Sequence, residues 1–395
     1  MRKTILCWLL LVLYFAANGQ AFLSEHAVIS LLTTTPCDNA VYTLYGHTSI
    51  RVRDSVRPNQ TIDYVFNYGV FDFSQPFFVY RFAKGNLDYY LDYYNYDLFA
   101  FDRQLLNSSV YEQILNLTPQ EKQDLWNALI INAQPENRTY RYNYFFDNCA
   151  TRPANLIERT INGTMVYVEN TKKETFRNII NFLTRDNAWL TFGCDLALGL
   201  QTDRVVGFRE SFFIPAYLYT AFSSAQIVNS DGTKRPLVLA EYVLIEAIHE
   251  APPQLFFTPF ICNLLIFLII LFTSWIEWRW KKYFRWLDCI LFFVAGIAGC
   301  LMFFLCFISE QPYVWPNISI VWLHPFHLIG VMLFAVKKLN KAANIYHFVN
   351  FVALLLMLVA WFFISQHLNI AFIPLIAILL LRSGYGFIKY KVNFK

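Results

Sequence analysis

The last third of this chain alternates long apolar stretches with short basic ones, and that alternation leaves it few ways to fold. Five apolar stretches, at about 257–278, 288–308, 318–336, 346–366 and 369–385, have the length and composition of helices that cross a bilayer. The residues between them carry an orientation signal. Arg279, Lys281, Lys282 and Arg285 lie between the first two stretches, and Lys337, Lys338 and Lys341 between the third and fourth; Arg382, in the last residues of the fifth, is grouped with Lys389, Lys391 and Lys395, which follow it. Residues 309–317 and 366–369 contain no lysine or arginine. Basic loops stay on the cytoplasmic side, so everything before residue 255 is expected outside the cytoplasm and the C-terminus inside.

The other end of the chain agrees. Arg2 and Lys3 precede an apolar run from Ile5 to Phe15 that is too short to span a bilayer, and small residues follow at Ala16, Ala17 and Gly19. This predicts a signal peptide over 1–19, with an uncleaved anchor as the alternative. An exported domain over 20–254 and a transmembrane domain over 255–395 follow, joined by the linker Ala251-Pro252-Pro253-Gln254. The net charge of +4 is spread along the chain, and its basic residues serve topology, so nucleic-acid binding is not expected.

Within the exported segment, Val41–Tyr45 and residues 49–53 alternate like strands around Gly46 and His47, and residues 62–68 form a further strand-like run. A hairpin turning near Val56 and Arg57 would set Phe66 and Asn67 opposite His47. Thr118-Pro119-Gln120-Glu121 starts a helix with a capping box that runs to about Ala133, residues 176–183 read as a short helix, and Asp231-Gly232 is a hairpin turn between 226–228 and 237–239. The aromatic run 71–101 is either core or a surface at the lipid headgroups. The Asn-X-Ser/Thr sequons at Asn59, Asn107, Asn116, Asn137 and Asn162 are read as chance.

Cys149 holds the chemical interest. Asn148 can cap a helix whose apolar period runs through Ala154, Leu156, Ile157 and Ile161, which sets Cys149 in the first turn, where N–H groups and the helix dipole favour a thiolate. A lone free cysteine is more often a small buried hydrophobe, so the reading needs a base. His47 is the candidate, with Asn67 to orient its ring and Asp54 or Asp63 as alternatives. Arg152, one turn on, could hold a phosphate or serve a structural ion pair. Cys37, Cys149 and Cys194 are an odd set; if a disulfide forms, Cys37–Cys194 leaves Cys149 free. His324 and His327 stand three apart near the outer end of the third stretch. No cysteine or carboxylate pattern completes a metal site there, and no cofactor is expected.

Tyr45-Gly46-His47-Thr48-Ser49-Ile50-Arg51, Asn67-Tyr68-Gly69 and Asp147-Asn148-Cys149-Ala150-Thr151-Arg152 are similar to motifs of the Lnb family of Bacteroidota. So are Phe192-Gly193, Leu198-Gly199, Asp203, Phe213-Ile214-Pro215 and Trp322-Leu323-His324-Pro325. The histidine precedes the cysteine, as in the permuted branch of papain-like proteins. The resemblance implies an α+β permuted papain-like (NlpC/P60-like) periplasmic domain followed by an all-α domain of five transmembrane helices, in a bacterial inner membrane. It also implies a lipoprotein N-acyltransferase whose partners are a phospholipid acyl donor, a diacylated lipoprotein acceptor and the membrane. Cys149 would be the nucleophile, His47 the base and Asn67 its orienter, with Arg152, Asn148, His324 and His327 toward substrate. A membrane-anchored cysteine peptidase or amidase, or a non-enzymatic envelope scaffold, are the alternative readings.

Overall fold

Among the described residues up to 245, runs of β-branched and aromatic residues become ten strands. They are β1 Val28–Thr34, β2 His47–Asp54, β3 Ile62–Val70, β4 Asp88–Asn95, β5 Val110–Leu115, β6 Thr139–Arg141, β7 Thr164–Val166, β8 Gln226–Val228, β9 Lys234–Pro236 and β10 Val238–Ile245. The computed structural model describes residues 22–37, 39–56, 61–169, 173–248 and 256–392. The expected signal peptide and the linker 251–254 lie outside these. The described chain divides into two compact units, neither continuous in sequence: residues 1–74, 88–170 and 208–249 form one, and 75–87, 171–207 and 250–395 the other, as far as each is described.

In the first unit, seven strands form an antiparallel sheet in the order β10-β5-β1-β2-β3-β4-β6, and β7, β8 and β9 form a small second sheet. The middle strands β1 and β2 are buried along almost their whole length, so both faces of the sheet are covered. Phe99, from the helix Tyr96–Leu105, packs with Leu32, Val65 and Val110 on one face. On the other, Trp126 of the helix Pro119–Asn132 meets Phe66 edge-on. That helix starts with the expected capping box, in which Glu121 N–H bonds the Thr118 hydroxyl and the Glu121 carboxylate accepts from Thr118 N–H.

Two local expectations are corrected. Val41–Tyr45 is a 3-10 helix rather than a strand, because Thr43 Oγ1 bonds back to the carbonyls of Cys37 and Ala40, and β1 takes the place beside β2. The turn at Asp231-Gly232 joins β8 to β9, so residues 234–236 supply the partner strand, while Val238–Ile245 crosses to pair with β5.

The second unit contains five helices long and apolar enough to cross a membrane: Pro259–Arg279, Arg285–Phe307, Ile318–Ala335, Lys337–Ala360 and Phe372–Tyr390. The third is interrupted, a 3-10 turn at Ile318–Val321 preceding the helix Phe326–Ala335. The fourth begins before the predicted residue 346, because its polar residues Asn344, His347 and Asn350 face other helices. Arg382 is not a loop charge. It lies fully buried within the fifth helix, donating to Asp288 at 2.6 Å, to Ser274 at 3.0 Å and to Glu277.

Residues 173–207 pack in this second unit through buried polar contacts. Arg177, on the helix Phe176–Thr184, pairs with Asp203 at 2.8 Å and Asp195 at 3.2 Å and donates to the carbonyls of Leu198 and Gly199. Asn369 donates to Asp195 at 2.9 Å, and Leu200 N–H to Pro316 at 2.7 Å. A Cβ on Gly199 would come within 2.4 Å of the Pro316 carbonyl oxygen, so only glycine allows this close approach.

Candidate active site

The loop before the helix Thr151–Thr160 is stapled before it reaches Cys149. Asn143 and Asp147 exchange two backbone hydrogen bonds of 3.0 and 2.9 Å, and Asn143 Oδ1 accepts from the amides of Phe145 and Phe146. Asn148 binds just ahead of that helix, its Oδ1 accepting from the amides of Ala150 and Thr151 at 2.9 and 3.0 Å, but the N-cap position falls at Ala150, so Cys149 precedes the first turn instead of lying in it as expected. Its Nδ2 donates to the carbonyls of Tyr144 and Phe213, each at 2.8 Å. Asn148 is buried and its amide is spent on this scaffold, so the structure gives it a positioning part rather than a substrate contact.

Cys149 sits at the β2–β3 end of the sheet. The β2–β3 ladder stops at the pair Ser49 and Asn67, and the Thr48 backbone N–H, one residue from His47, lies near enough to favour the Cys149 anion. Gly69 lies against it: a Cβ there would stand 3.4 Å from the Cys149 Cβ and 3.8 Å from Tyr142. Gly69 also has φ +89°, a left-handed backbone that a side chain disfavours. Tyr142 stacks on Tyr89 with ring centroids 4.0 Å apart and walls the site on that side. In the sequence Gly69 stands out only as part of Asn67-Tyr68-Gly69, and nothing marks Tyr142. Their place beside the thiol depends on a contact between β3 and a loop about 75 residues later, which no local pattern reveals.

His47 begins β2, directly after Gly46, whose φ of +72° and approach to the Thr34 carbonyl exclude a side chain. Asn67 does not lie opposite His47 but opposite Ser49, a register two residues away from the expected pairing. Side chains alternate with a period of two, so a two-residue offset leaves His47, Ser49 and Asn67 on one face. The diagonal contact closes at 3.2 Å, His47 Nε2 to Asn67 Oδ1. The amide orientation follows from its other bonds: Asn67 Nδ2 donates to the Val65 carbonyl at 3.1 Å, and Ser49 donates to Oδ1 at 2.7 Å. Oδ1 is therefore the acceptor, Nε2 carries the proton, and Nδ1 is left as the basic nitrogen. Asp54 and Asp63 are engaged elsewhere, by Ser24 and Arg51 respectively.

Burial dominates the electrostatics. It lowers His47 to about 4, helped by the nearby Arg103 charge and opposed by the bond to Asn67. It raises the Cys149 thiol to about 11, against the two backbone amides of Thr48 and Cys149 that favour the anion. The expected resting thiolate is thus corrected: desolvation outweighs the helix N-terminus, and the two groups rest as neutral thiol and neutral imidazole. No hydrogen bond joins the two side chains in this structure.

Arg152 takes the structural course. Its guanidinium forms two bonds to Asp147, at 2.6 and 2.7 Å, and lies 3.4 Å over the Tyr140 ring. Cys37 is a free thiol, so the Cys37–Cys194 disulfide is not formed. In the second unit, His327 is fully buried with both ring nitrogens satisfied, Nδ1 by the Tyr346 hydroxyl at 2.7 Å and Nε2 by the Trp322 carbonyl at 3.0 Å. It packs inside the bundle and reaches no surface, which corrects its assignment to substrate. His324 is partly exposed and stacks on His327 at 3.9 Å. Among the described residues no group of three or more His, Cys, Asp or Glu could hold a metal ion.

Comparison with known proteins yields two family matches. Residues 16–181 match the Lnb N-terminal periplasmic domain, and residues 251–393 match the Lnb transmembrane domain. No curated protein and no solved structure matches the chain.

Proposed function

Because this chain belongs to the Lnb family, we propose that it is a lipoprotein N-acyltransferase of a bacterial inner membrane, with its sheet domain in the periplasm and its C-terminus in the cytoplasm. The observation that carries the reading is the 3.2 Å contact of His47 Nε2 with Asn67 Oδ1: an amide oxygen can only accept, which favours the proton on Nε2 and leaves Nδ1 basic, one residue before the Thr48 amide that favours the Cys149 anion.

The chemistry follows from that pattern. His47 Nδ1 takes the Cys149 proton as sulfur attacks the carbonyl carbon of a phospholipid ester. The amides of Thr48 and Cys149 favour the anionic form of the sulfur and so ease the build-up of negative charge there as the proton leaves. The tetrahedral adduct collapses, the carbon–oxygen bond breaks, and imidazolium protonates the departing glycerol oxygen to release lysophospholipid. A thioester remains on Cys149. The α-amine of a diacylglyceryl-cysteine lipoprotein then attacks it, His47 Nδ1 accepts the amine proton, and that proton returns to sulfur as the amide forms. Atoms and charges balance without a cofactor.

The test is mass spectrometry of the purified full-length protein after incubation with phospholipid vesicles and no acceptor. Cys149 should gain the mass of one acyl chain, hydroxylamine should remove it, and His47→Ala should abolish it. Cys149→Ser should lower turnover by at least about 10³-fold with the fold retained, since a hydroxyl is a far poorer nucleophile at this site. Release of peptide fragments without acylation would favour the peptidase reading instead, and near-normal turnover by Cys149→Ser would overturn nucleophilic catalysis altogether.

A further inference from the structure

The segment 75–87 is exported by chain order, yet it packs in the unit that holds the apolar helices. It contains a seven-residue helix, Phe78–Lys84, whose C-terminal carbonyls are satisfied by the residues that follow the second apolar span. Ser309 Oγ donates to the Ala83 carbonyl at 2.6 Å, Glu310 N–H to Lys84 at 2.7 Å, and Gln311 Nε2 to Phe82 at 2.7 Å. Gly85, at φ +81°, makes the approach possible, since a Cβ there would stand 2.8 Å from the Gln311 nitrogen. The helix is therefore tied by its own cap to the end of a span.

Its outer side is apolar and bare. Phe77 is 81%, Val79 77%, Tyr80 52% and Phe82 48% exposed. Phe77 also holds a left-handed backbone with φ 56°, a conformation that a bulky residue adopts at a cost. Bare rings held at such a cost need a cover. The Tyr80 ring lies 5.7 Å from that of Phe304 within the second span, and Phe303, Phe307 and Ile308 of the same region are exposed as well. The bare surface is thus continuous with a surface whose composition already calls for lipid. Lys84 supplies a cationic end on a long apolar stem, suited to anionic headgroups, while the Arg81 guanidinium holds Gln75 and the Asn86 carbonyl. A helix of seven residues is too short to cross a bilayer and can only lie along it.

We propose that Phe78–Lys84 is an interfacial lipid-binding helix, which sinks Phe77, Val79, Tyr80 and Phe82 into the boundary between headgroups and acyl chains. This rests on the apolar helices spanning a bilayer and does not depend on the Cys149 chemistry.

The test uses the full chain with a solvatochromic fluorescent amino acid at position 79, reconstituted into vesicles of phosphatidylethanolamine and phosphatidylglycerol. The expected emission is blue-shifted, quenched severalfold by lipids brominated near the top of the acyl chain, and protected from aqueous iodide. Quenching by iodide but not by brominated lipid overturns the proposal. Protection from both quenchers that vanishes as the protein-to-lipid ratio falls overturns it too, because a second copy would then be the cover. No acyl transfer is measured, so failure here is distinct from failure of the acyltransferase reading.

Discussion

At the scale of the residue, the reactive pair is set by desolvation. Burial keeps His47 neutral down to about 4 and Cys149 protonated up to about 11, so both groups start uncharged across the physiological range. The sign of the pH dependence follows. As pH falls through about 4, His47 binds a proton and cannot act as base; as pH rises through about 11, the thiol loses its own proton and needs no base. Acyl transfer to Cys149 should therefore be flat from pH 5.5 to 9, and the rate of Cys149 alkylation by iodoacetamide should climb about tenfold per pH unit toward 11. Alkylation that is fast and level from pH 6 to 8 would instead reveal a preformed thiolate–imidazolium pair. Cys149 and His47 were both legible as candidates from residue type and motif. Their resting charge was not, because it depends on how completely the folded sheet and its covering side chains exclude water.

At the scale of the element, the site is a meeting of one strand end with one helix start. The loop 142–148 holds its own shape through Asn143 and Asn148, and such local bonds can be anticipated from asparagine near a helix start. What the loop meets cannot. Gly69 combines a left-handed backbone with contact against Cys149, so Gly69→Ala adds both strain and a displaced nucleophile. It should destabilise the protein by roughly 1–2 kcal/mol and slow Cys149 acylation further than that loss explains; thermal melting read beside the thioester assay separates the two effects. The register of β2 on β3 gives the same lesson. The expected pairing set Phe66 and Asn67 opposite His47; the observed register sets Asn67 opposite Ser49, two residues away, and still leaves it within reach of His47. A period of two tolerates that error, whereas a slip of one would have sent Asn67 to the opposite face.

At the scale of the whole molecule, the two units interleave along the chain, and residues 173–207 rely on Arg177 to pack in theirs. Removing the guanidinium leaves Asp195 and Asp203 buried without their partner, so Arg177→Met should cost about 3–5 kcal/mol and make this segment the first site of limited proteolysis. Orientation is testable with an export-dependent reporter, which should be active when fused at Tyr313 and silent at Lys282 or Lys341; the reverse pattern would contradict the proposed topology. Five apolar helices, their approximate limits and a sheet-rich first part were determined by sequence alone, which also singled out Cys149 and His47 as candidates. These follow from composition, period and local capping, which act over a few residues or one bilayer thickness. The tertiary structure decided which stretches pack in which unit, that Arg382 is a buried partner of Glu277 and Asp288 rather than a loop charge, and that His327 is packing. It also decided the protonation of the site. Each of these depends on contacts between residues far apart in the chain, where desolvation and close approach outweigh any local preference.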